Sequence, residues 1–453
     1  MANDRVRFVH ISVSSMPFKI LFCKLMRRAH IISIGNELLI GDTVNTNAAW
    51  IGAMLTETGF YVEQVFTIPD DYQLIKSQIS DSLEQVDLTI VTGGLGPTHD
   101  DITKKAVADL FESELREDKE VLNHIEQIFE RRGFLLSPSN IEQAQVPNAC
   151  SVLFNPKGTA PGMWFEKKGN YLALLPGVPH EMKYLMREEV APRLSDLYPG
   201  IEVWVTDYFK TAGVPESTLS ERVGNLDRFI QNGVGVAYLP GAGGVTIRIS
   251  ASGPKKQDAE KKLTVLKKEL NMELSDCLFG KGKEATLSGV VGKILTDQGL
   301  TISVAESCTG GYLSSKLTDV PGSSHYMLGG VVAYSNESKS GLLGVDPAII
   351  EKYGAVSRAT AMAMARGVKE RFESDIGVST TGIAGPGGGS EEKPVGLVWM
   401  GFCIKEKEFA LKAQLSKERL LNKQRSSIVV LETIRRELSG IPNYPYELKP
   451  QFP

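Results

Sequence analysis

Apolar positions along this chain fall into short continuous runs that alternate with stripes of 3.6-residue period, and that alternation predicts the architecture. His30-Ile31-Ile32-Ser33-Ile34, Phe60 to Ile68 and Asp87 to Thr92 read as strands, with helices over Asn47–Thr58 and Tyr72–Gln85 between them. Strands and helices of such lengths in turn predict parallel βαβ units in a doubly wound sheet. Asp118 to Arg132 reads as a surface helix whose apolar face is Val121, Leu122, Ile125, Ile128 and Phe129. After Pro192 the texture changes. Val203–Thr211, Val234–Leu239 and Gly244–Ser252 read as strands and Gln257–Leu270 as a lysine-bearing helix, a small α+β module. Lys281-Gly282-Lys283 reads as a hinge, after which βα units return: a helix over Leu287–Gln298, strands over Tyr326–Ser335 and Asp375–Thr380, and a helix over Ala359–Phe372. A hairpin, Pro394–Ile404 with Phe409–Leu415, and a closing helix, Lys417–Leu438, complete the series.

The predicted organisation is therefore a 1–28 extension, an α/β domain over 29–198, an α+β linking module over 199–282, a second α/β domain over 283–440 and a proline-punctuated tail over 441–453, expected extended or disordered. In the extension, Lys19 and Lys24 split any apolar core of a targeting peptide, and Met26 stands just before the first clear strand. The expectation is a start at Met26 or a disordered extension.

Composition narrows the partners. A net charge of −4 offers no global attraction to nucleic acid or anionic membrane, and no run of eighteen apolar residues occurs. The five cysteines are widely spread without CxxC spacing, which points to a reducing, cytoplasmic setting. Gly241-Ala242-Gly243-Gly244 has the spacing of a KH-type clamp but lies between strand-like runs without adjacent basic residues, so a linking or dimer-forming role is expected.

Three stretches carry candidate chemistry. Thr301 to Tyr312 reads as strand, tight turn and helix, with Leu313, Leu317 and Val320 on one side of the helix. The turn would set the Ser307 hydroxyl and Cys308 thiol at the positive end of that helix, facing an anion or oxyanion; equally, Ser307 or Thr309 could only cap it. Gly93, Gly94 and Gly96 open a strand-to-helix loop with Thr98, Asp100 and Asp101, residues able to cradle phosphate and hold a hard cation, or to cap the next helix. Tyr334 and Lys339 stand at another strand end, where a desolvated lysine could activate a serine. His325 is the only histidine of the last domain, which disfavours a Ser-His-Asp triad.

Gly-Asn-Glu-Leu-Leu at 35–39, Thr-Gly-Gly-Leu-Gly-Pro-Thr-His-Asp-Asp at 92–101, Asn155 to Gly162 and Leu175 to Met182 resemble the molybdopterin-binding-like domain of the CinA family. Ala305 to Gly311, Gly322-Ser323-Ser324, Tyr334 to Glu337, Gly354 to Ser357 and Gly382 to Gly396 resemble its carboxy-terminal domain. The resemblance implies two activities. One is amide hydrolysis of nicotinamide mononucleotide to nicotinic acid mononucleotide and ammonia, and the other is metal-dependent cleavage of ADP-ribose to AMP and ribose 5-phosphate. Carried over, Ser307 is the nucleophile, Lys339 and Tyr334 assist its deprotonation, and Ser324 and Thr381 support the site. Cys308, Thr309, Gly310, Gly311, Gly382 and Gly385 would contact substrate, with Arg419 or Arg425 on its phosphate. At the other site Gly93, Gly94, Gly96, Thr98, Glu37 and Glu181 would bind substrate, and Asp100 and Asp101 a divalent metal ion of unknown identity. Lys417-Glu418-Arg419 stands where the family places Gly-Asp-Arg, so Arg419 keeps its residue type in a changed turn. The expected partners are small nucleotides and a second copy of the chain, with no membrane and no direct nucleic acid. The alternatives are Cys308 as nucleophile, a non-catalytic competence or DNA-repair partner, and a pterin-binding protein.

Overall fold

The computed structural model describes residues 27–96 and 101–452, which form two compact units, the first running to Val205 and the second taking up most of the remainder. In the first unit the strands are β1 (Arg27–Ile34), β2 (Phe60–Ile68), β3 (Leu88–Thr92), β4 (Leu115–Glu117), β5 (Gln145–Pro147), β6 (Ser151–Leu153), β7 (Gly162–Lys167) and β8 (Asn170–Leu175). Six of them make one sheet of order β2-β1-β3-β8-β7-β6. Period-two alternation splits the buried residues of each central strand between the two faces. Ala29 and Ile31 face the helix Thr46–Glu57 through Ile51 and Leu55, while Ile32 and Ile34 face the helix Tyr72–Gln85 through Ile75 and Ile79. A sheet covered on both faces follows, as the continuous apolar runs imply.

Two features depart from expectation. β7 pairs antiparallel with both β6 and β8, so the sheet is mixed and not purely parallel. The reason is local: Lys168 and Gly169 both have positive φ (55° and 82°), the requirement of a two-residue turn that returns the chain beside itself. β1 also begins at Arg27, whose guanidinium donates to Asp87 at 2.6 Å, so residues 27 and 28 belong to the sheet and not to an extension. The expectation for residues 1–26 lies outside the described residues.

The middle module is a sheet of order β10-β11-β9-β12, from β9 (Val203–Thr211), β10 (Val234–Gly241), β11 (Gly244–Gly253) and β12 (Leu278–Lys281). Here the Gly241–Gly244 spacing is the tip of a hairpin, with Gly241 opposite Gly244. A Cβ on Gly243 would overlap Ile428 of the helix Arg419–Ser439, so the tip is turned into the chain's own last domain.

The last domain orders its strands β14-β13-β15-β16-β17, from β13 (Ile302–Glu306), β14 (Met327–Val332), β15 (Ile376–Gly382), β16 (Leu397–Ile404) and β17 (Lys407–Gln414). β14, β13 and β15 run parallel, and β16 and β17 continue the sheet antiparallel. One face packs Val304, Val378, Met400 and Phe402 against the helices Leu287–Gln298 and Arg419–Ser439; the other packs Ala305 on Met364 and Val368 of the helix Arg358–Phe372. The tail is docked, and it departs from the extended or disordered form expected of it: Pro445–Glu447 is a short 3-10 turn in which Tyr446 and Glu447 have positive φ (53° and 56°). Gln451 bridges Ala410, and Tyr444 donates to Glu437 at 2.7 Å. No helix among the described residues is long and apolar enough to cross a membrane.

Candidate active site

β13 is an interior strand of its sheet and ends at Glu306, so the chain leaves the carboxyl edge of the sheet at Ser307. The turn there is built around a buried carboxylate. Glu306 is fully buried and accepts from Gly311 N (3.0 Å), Leu313 N (3.1 Å), Ser314 N (2.7 Å) and Ser314 Oγ (2.6 Å). Those are donors at the start of the helix Tyr312–Thr318, which otherwise lack partners inside a helix. The expectation that this helix end faces an external anion is thereby corrected, because Glu306 already fills it. The amides of Cys308 and Thr309 make no hydrogen bond to another residue among the described residues.

Lys339 reaches this turn from the neighbouring strand end. Ser335 caps the helix Asn336–Leu343 by accepting from Ser338 N, which sets Lys339 on the first turn with its stem directed inward. Its Nζ lies 3.2 Å from Ser307 Oγ and 3.1, 3.2 and 3.4 Å from the carbonyl oxygens of Ala333, Tyr334 and Ser335. Lys339 is 1% exposed and Ser307 8%. No carboxylate pairs with the amine, and burial lowers its pKa from the ordinary lysine value, against a smaller pull upward from Cys308 and Glu337. A neutral amine has two N–H groups for two of the carbonyls and one lone pair for the serine O–H. This is the arrangement of a nucleophile with its base.

Other residues expected here fall into three groups. Cys308 is packed into the core and burial pushes its thiol up to about 12, so it is no thiolate nucleophile, and any contact with substrate is left to its backbone. Thr309 bonds Thr380 at 2.6 Å and Thr381 donates to Ala355 O at 2.7 Å, so both hydroxyls hold the frame. Tyr334 is exposed and its phenol accepts from Arg419 at 2.7 Å, away from Lys339; only its carbonyl meets the amine. Ser324 is a correction. It precedes β14, while Ser307 follows β13, and the two strands are parallel, so within one chain these serines stand at opposite ends of the sheet.

Arg419 also donates to Gly385 O at 3.1 Å, tying the glycine loop after β15 to Tyr334. Gly310 and Gly311 have φ of 59° and 90°, which allows the turn at Ser307 to close, and Gly382 leaves no room for a Cβ beside Leu397 O. Arg425 does not join Arg419. Six residues along a helix turn it about 240° away, and Arg425 lines a separate cavity with Tyr446 and Val429. The cation that does share the face of Arg419 is Lys423, four residues on, whose Nζ approaches Gly310 to within 3.6 Å of an ideal Cβ position. Sequence reasoning missed it, although the i, i+4 spacing was there to be read.

In the first unit three loops meet at the carboxyl ends of β1, β3 and β8. Gly93 N donates to Leu175 O at 3.1 Å, Thr92 Oγ1 to Pro176 O at 3.0 Å and Asn47 Nδ2 to Gly177 O at 2.7 Å. Gly94 (φ 66°) packs on Thr103, whose buried hydroxyl has no partner among the described residues, and Asn47 Oδ1 is likewise buried and unpartnered among them. Asp101 lies against Gly96. Glu37 is exposed on the short helix Asn36–Leu39, while Glu181 is buried and accepts from Asn155 at 2.6 Å, tying loop to helix. Thr98 and Asp100 lie outside the described residues. Among those described no three acidic, histidine or cysteine side chains converge. Asp101 and the orphaned Thr103 hydroxyl are oxygen donors of the kind a hard divalent ion takes.

The fold and this site define a three-module α/β protein whose last module buries a serine–lysine pair at a strand end. Residues 30–196 match the family model of the probable molybdopterin binding domain, 206–280 that of the damage-inducible protein CinA KH domain and 284–438 that of the CinA C-terminal domain. A CinA-like protein of Salinibacter ruber is 41% identical over 413 residues, 91% of this chain and 100% of that protein. A CinA-like protein of Chloroherpeton thalassium is 41% identical over 421 residues, 91% of this chain and 99% of that protein. A crystal structure of CinA, a protein of unknown function from Thermoplasma acidophilum, is 38% identical and covers 38% of this chain and 99% of its own, with a TM-score of 0.35. The chain belongs to the CinA family.

Proposed function

We propose that the last domain hydrolyses the carboxamide of nicotinamide mononucleotide. The observation that carries this reading is a lysine without a counter-ion, 1% exposed, with Nζ 3.2 Å from a serine Oγ. Lys339 takes the proton of Ser307 as Oγ attacks the amide carbon, and the N–H groups of Cys308 and Thr309 stabilise the oxyanion. Lys339 then gives that proton to the leaving nitrogen, which departs as ammonia and leaves an ester on Ser307. Water, deprotonated by Lys339, attacks the ester carbon, and Lys339 returns that proton to Ser307 Oγ as the free acid departs. Arg419 and Lys423 meet the phosphate, with the glycine loop and Tyr334 around the ring. The test is ammonia release from purified full-length protein. Ser307→Ala should lower kcat by about a thousand-fold or more, and a variant that keeps its rate removes this mechanism.

For the first unit we propose cleavage of ADP-ribose to AMP and ribose 5-phosphate, with the Gly93–Gly96 loop, Asn47 and Thr103 around the phosphates. Asp100 and Asp101 would hold a divalent ion, which supplies charge neutralisation to the pyrophosphate when bound. AMP release that survives chelation and Asp101→Asn would set this reading aside. Small nucleotides are preferred to nucleic acid as partners because the hairpin Gly241–Gly244 is turned against Ile428. The four described cysteines are free, which supports a cytoplasmic setting. A second copy of the chain would dock at the edge strand β14, where Leu328 and Val332 are exposed.

A further inference from the structure

Behind the turn that carries the chain from β17 into its closing helix lies a cavity of about 570 Å³, a size that suits a small organic ligand. The middle module and the last domain build it together. Val214, Val245, Leu415, Val429 and Leu448 give it apolar walls, and Ala242 of the hairpin tip lines it as well. Arg425 is the one cation among the lining residues, and it makes no hydrogen bond or ion pair among the described residues. The Tyr446 hydroxyl, also at the wall, makes no side-chain hydrogen bond there either. Glu216 is the one lining acid, and it is exposed. An unpaired guanidinium beside apolar walls is short of one thing, an anionic partner with an apolar body.

We propose that this cavity binds a small organic anion, an aromatic or aliphatic body carrying a carboxylate, sulfonate or phosphate group that Arg425 holds. The site also has a route to the glycine loop. Ser416 lines the cavity and donates from N and Oγ to Asn422 Oδ1, at 3.0 Å each, while Asn422 Nδ2 donates to Ala384 O at 2.9 Å. Leu415, another wall residue, donates its N–H to Gly396 O at 2.8 Å. A ligand pressing on Leu415 and Ser416 therefore acts on residues bonded directly to both ends of the loop from Ala384 to Gly396. The binding claim stands without the amidohydrolase reading; only the consequence for the loop rests on it.

The experiment is a fluorescence titration of the full chain with 8-anilinonaphthalene-1-sulfonate, an apolar body with one sulfonate, beside the uncharged N-phenyl-1-naphthylamine. Arg425→Ala should weaken the sulfonate probe about ten-fold or more and leave the neutral probe within about two-fold. Glu216→Lys, a change at an exposed rim position that leaves the core alone, should tighten the sulfonate probe by about three-fold. Ala242→Trp, which puts a large ring into the cavity, should remove both. Sulfonate binding that is equal in the parent chain, Arg425→Ala and Glu216→Lys overturns the proposal. So does a loss in Arg425→Ala that the neutral probe shares in full, since that reports a collapsed cavity and not a charge. Ammonia release is not a readout, so failure here is separable from failure of the catalytic reading.

Discussion

Two glycine loops in this protein occupy equivalent places, each leaving the carboxyl end of a sheet-interior strand, β3 in one unit and β15 in the other. Such ends are where α/β sheets bind ligands, yet the two differ in what surrounds them. Beside the second, a helix delivers Lys339 into the core with Ser307 as its neighbour and no carboxylate to neutralise it. Beside the first, the lysine whose pKa burial lowers, to about 8, is Lys104, and its Nζ donates to Glu142 O at 2.7 Å. What stands unspent at the first loop is oxygen: Thr103 Oγ1 and Asn47 Oδ1. The same position in a sheet thus carries a buried serine–lysine pair in one unit and unpartnered oxygens beside a glycine loop in the other, and the supporting side chains make that difference.

The sharpest way to break that comparison is to remove the amine. Lys339→Met keeps length and apolar packing while deleting the base, and ammonia release should fall by about a thousand-fold. Lys339→Arg should fare no better, because a guanidinium does not give up its proton. AMP release from ADP-ribose should be the same in both variants as in the parent. A parallel loss of AMP release in well-folded protein would show the two sites to be one functional unit.

Next in size is the pH response. Burial places the pKa of Lys339 below the ordinary 10.5. If Lys339 is the base of the proposed amide hydrolysis, the rate of ammonia release should therefore rise with pH through that lowered value, as the amine becomes neutral. The stability sign is fixed by the same shift. Between the lowered folded pKa and the ordinary value the unfolded chain binds more protons, so this group favours folding increasingly as pH rises through that window. In Lys339→Met the increment should vanish from Tm measured against pH. A rate that falls with pH over the same window would mean that the charged amine is the active form.

Much of the framework was legible from pattern. The strand Phe60–Ile68 and the helices Tyr72–Gln85 and Leu287–Gln298 lie where the periodicity puts them, because each is covered on a face whose period matches its own geometry. Ser307 and Lys339 were nameable as candidates, but nothing in a linear pattern brings position 339 to 307; parallel pairing of β13 with β14 does so by placing both strand ends at one edge. The role of Glu306 was hidden for the opposite reason. A carboxylate next to a nucleophile invites a chemical reading, whereas the fold spends it on backbone donors of the very helix that looked free. The family resemblance offers Arg425 as well as Arg419 for the phosphate, and helical geometry sends Arg425 elsewhere.

Smaller effects sharpen the recognition half of the comparison. Arg419→Ala and Lys423→Ala should each raise KM for nicotinamide mononucleotide about ten-fold with a lesser effect on kcat, since neither cation touches the reacting amide. The riboside lacking the phosphate should be nearly indifferent to both changes. Equal losses with the two substrates would assign these cations to loop structure, through the Arg419 bonds to Gly385 and Tyr334, and not to phosphate.

The least change is expected at Thr103, and it is the most discriminating for the first unit. Its hydroxyl is fully buried, has no partner among the described residues and faces Gly94, where any side chain would overlap it. Thr103→Val keeps the shape and removes only an unsatisfied polar group, a change that is neutral or stabilising by itself. Tm should therefore hold or rise. If the hydroxyl waits for a phosphate or for an ion held with Asp101, AMP release should nevertheless fall, by about ten-fold for the loss of one hydrogen bond to a charged group. A variant with a raised Tm and undiminished AMP release would make Thr103 a packing residue, and the first loop would then differ from the second in lacking a site at that position.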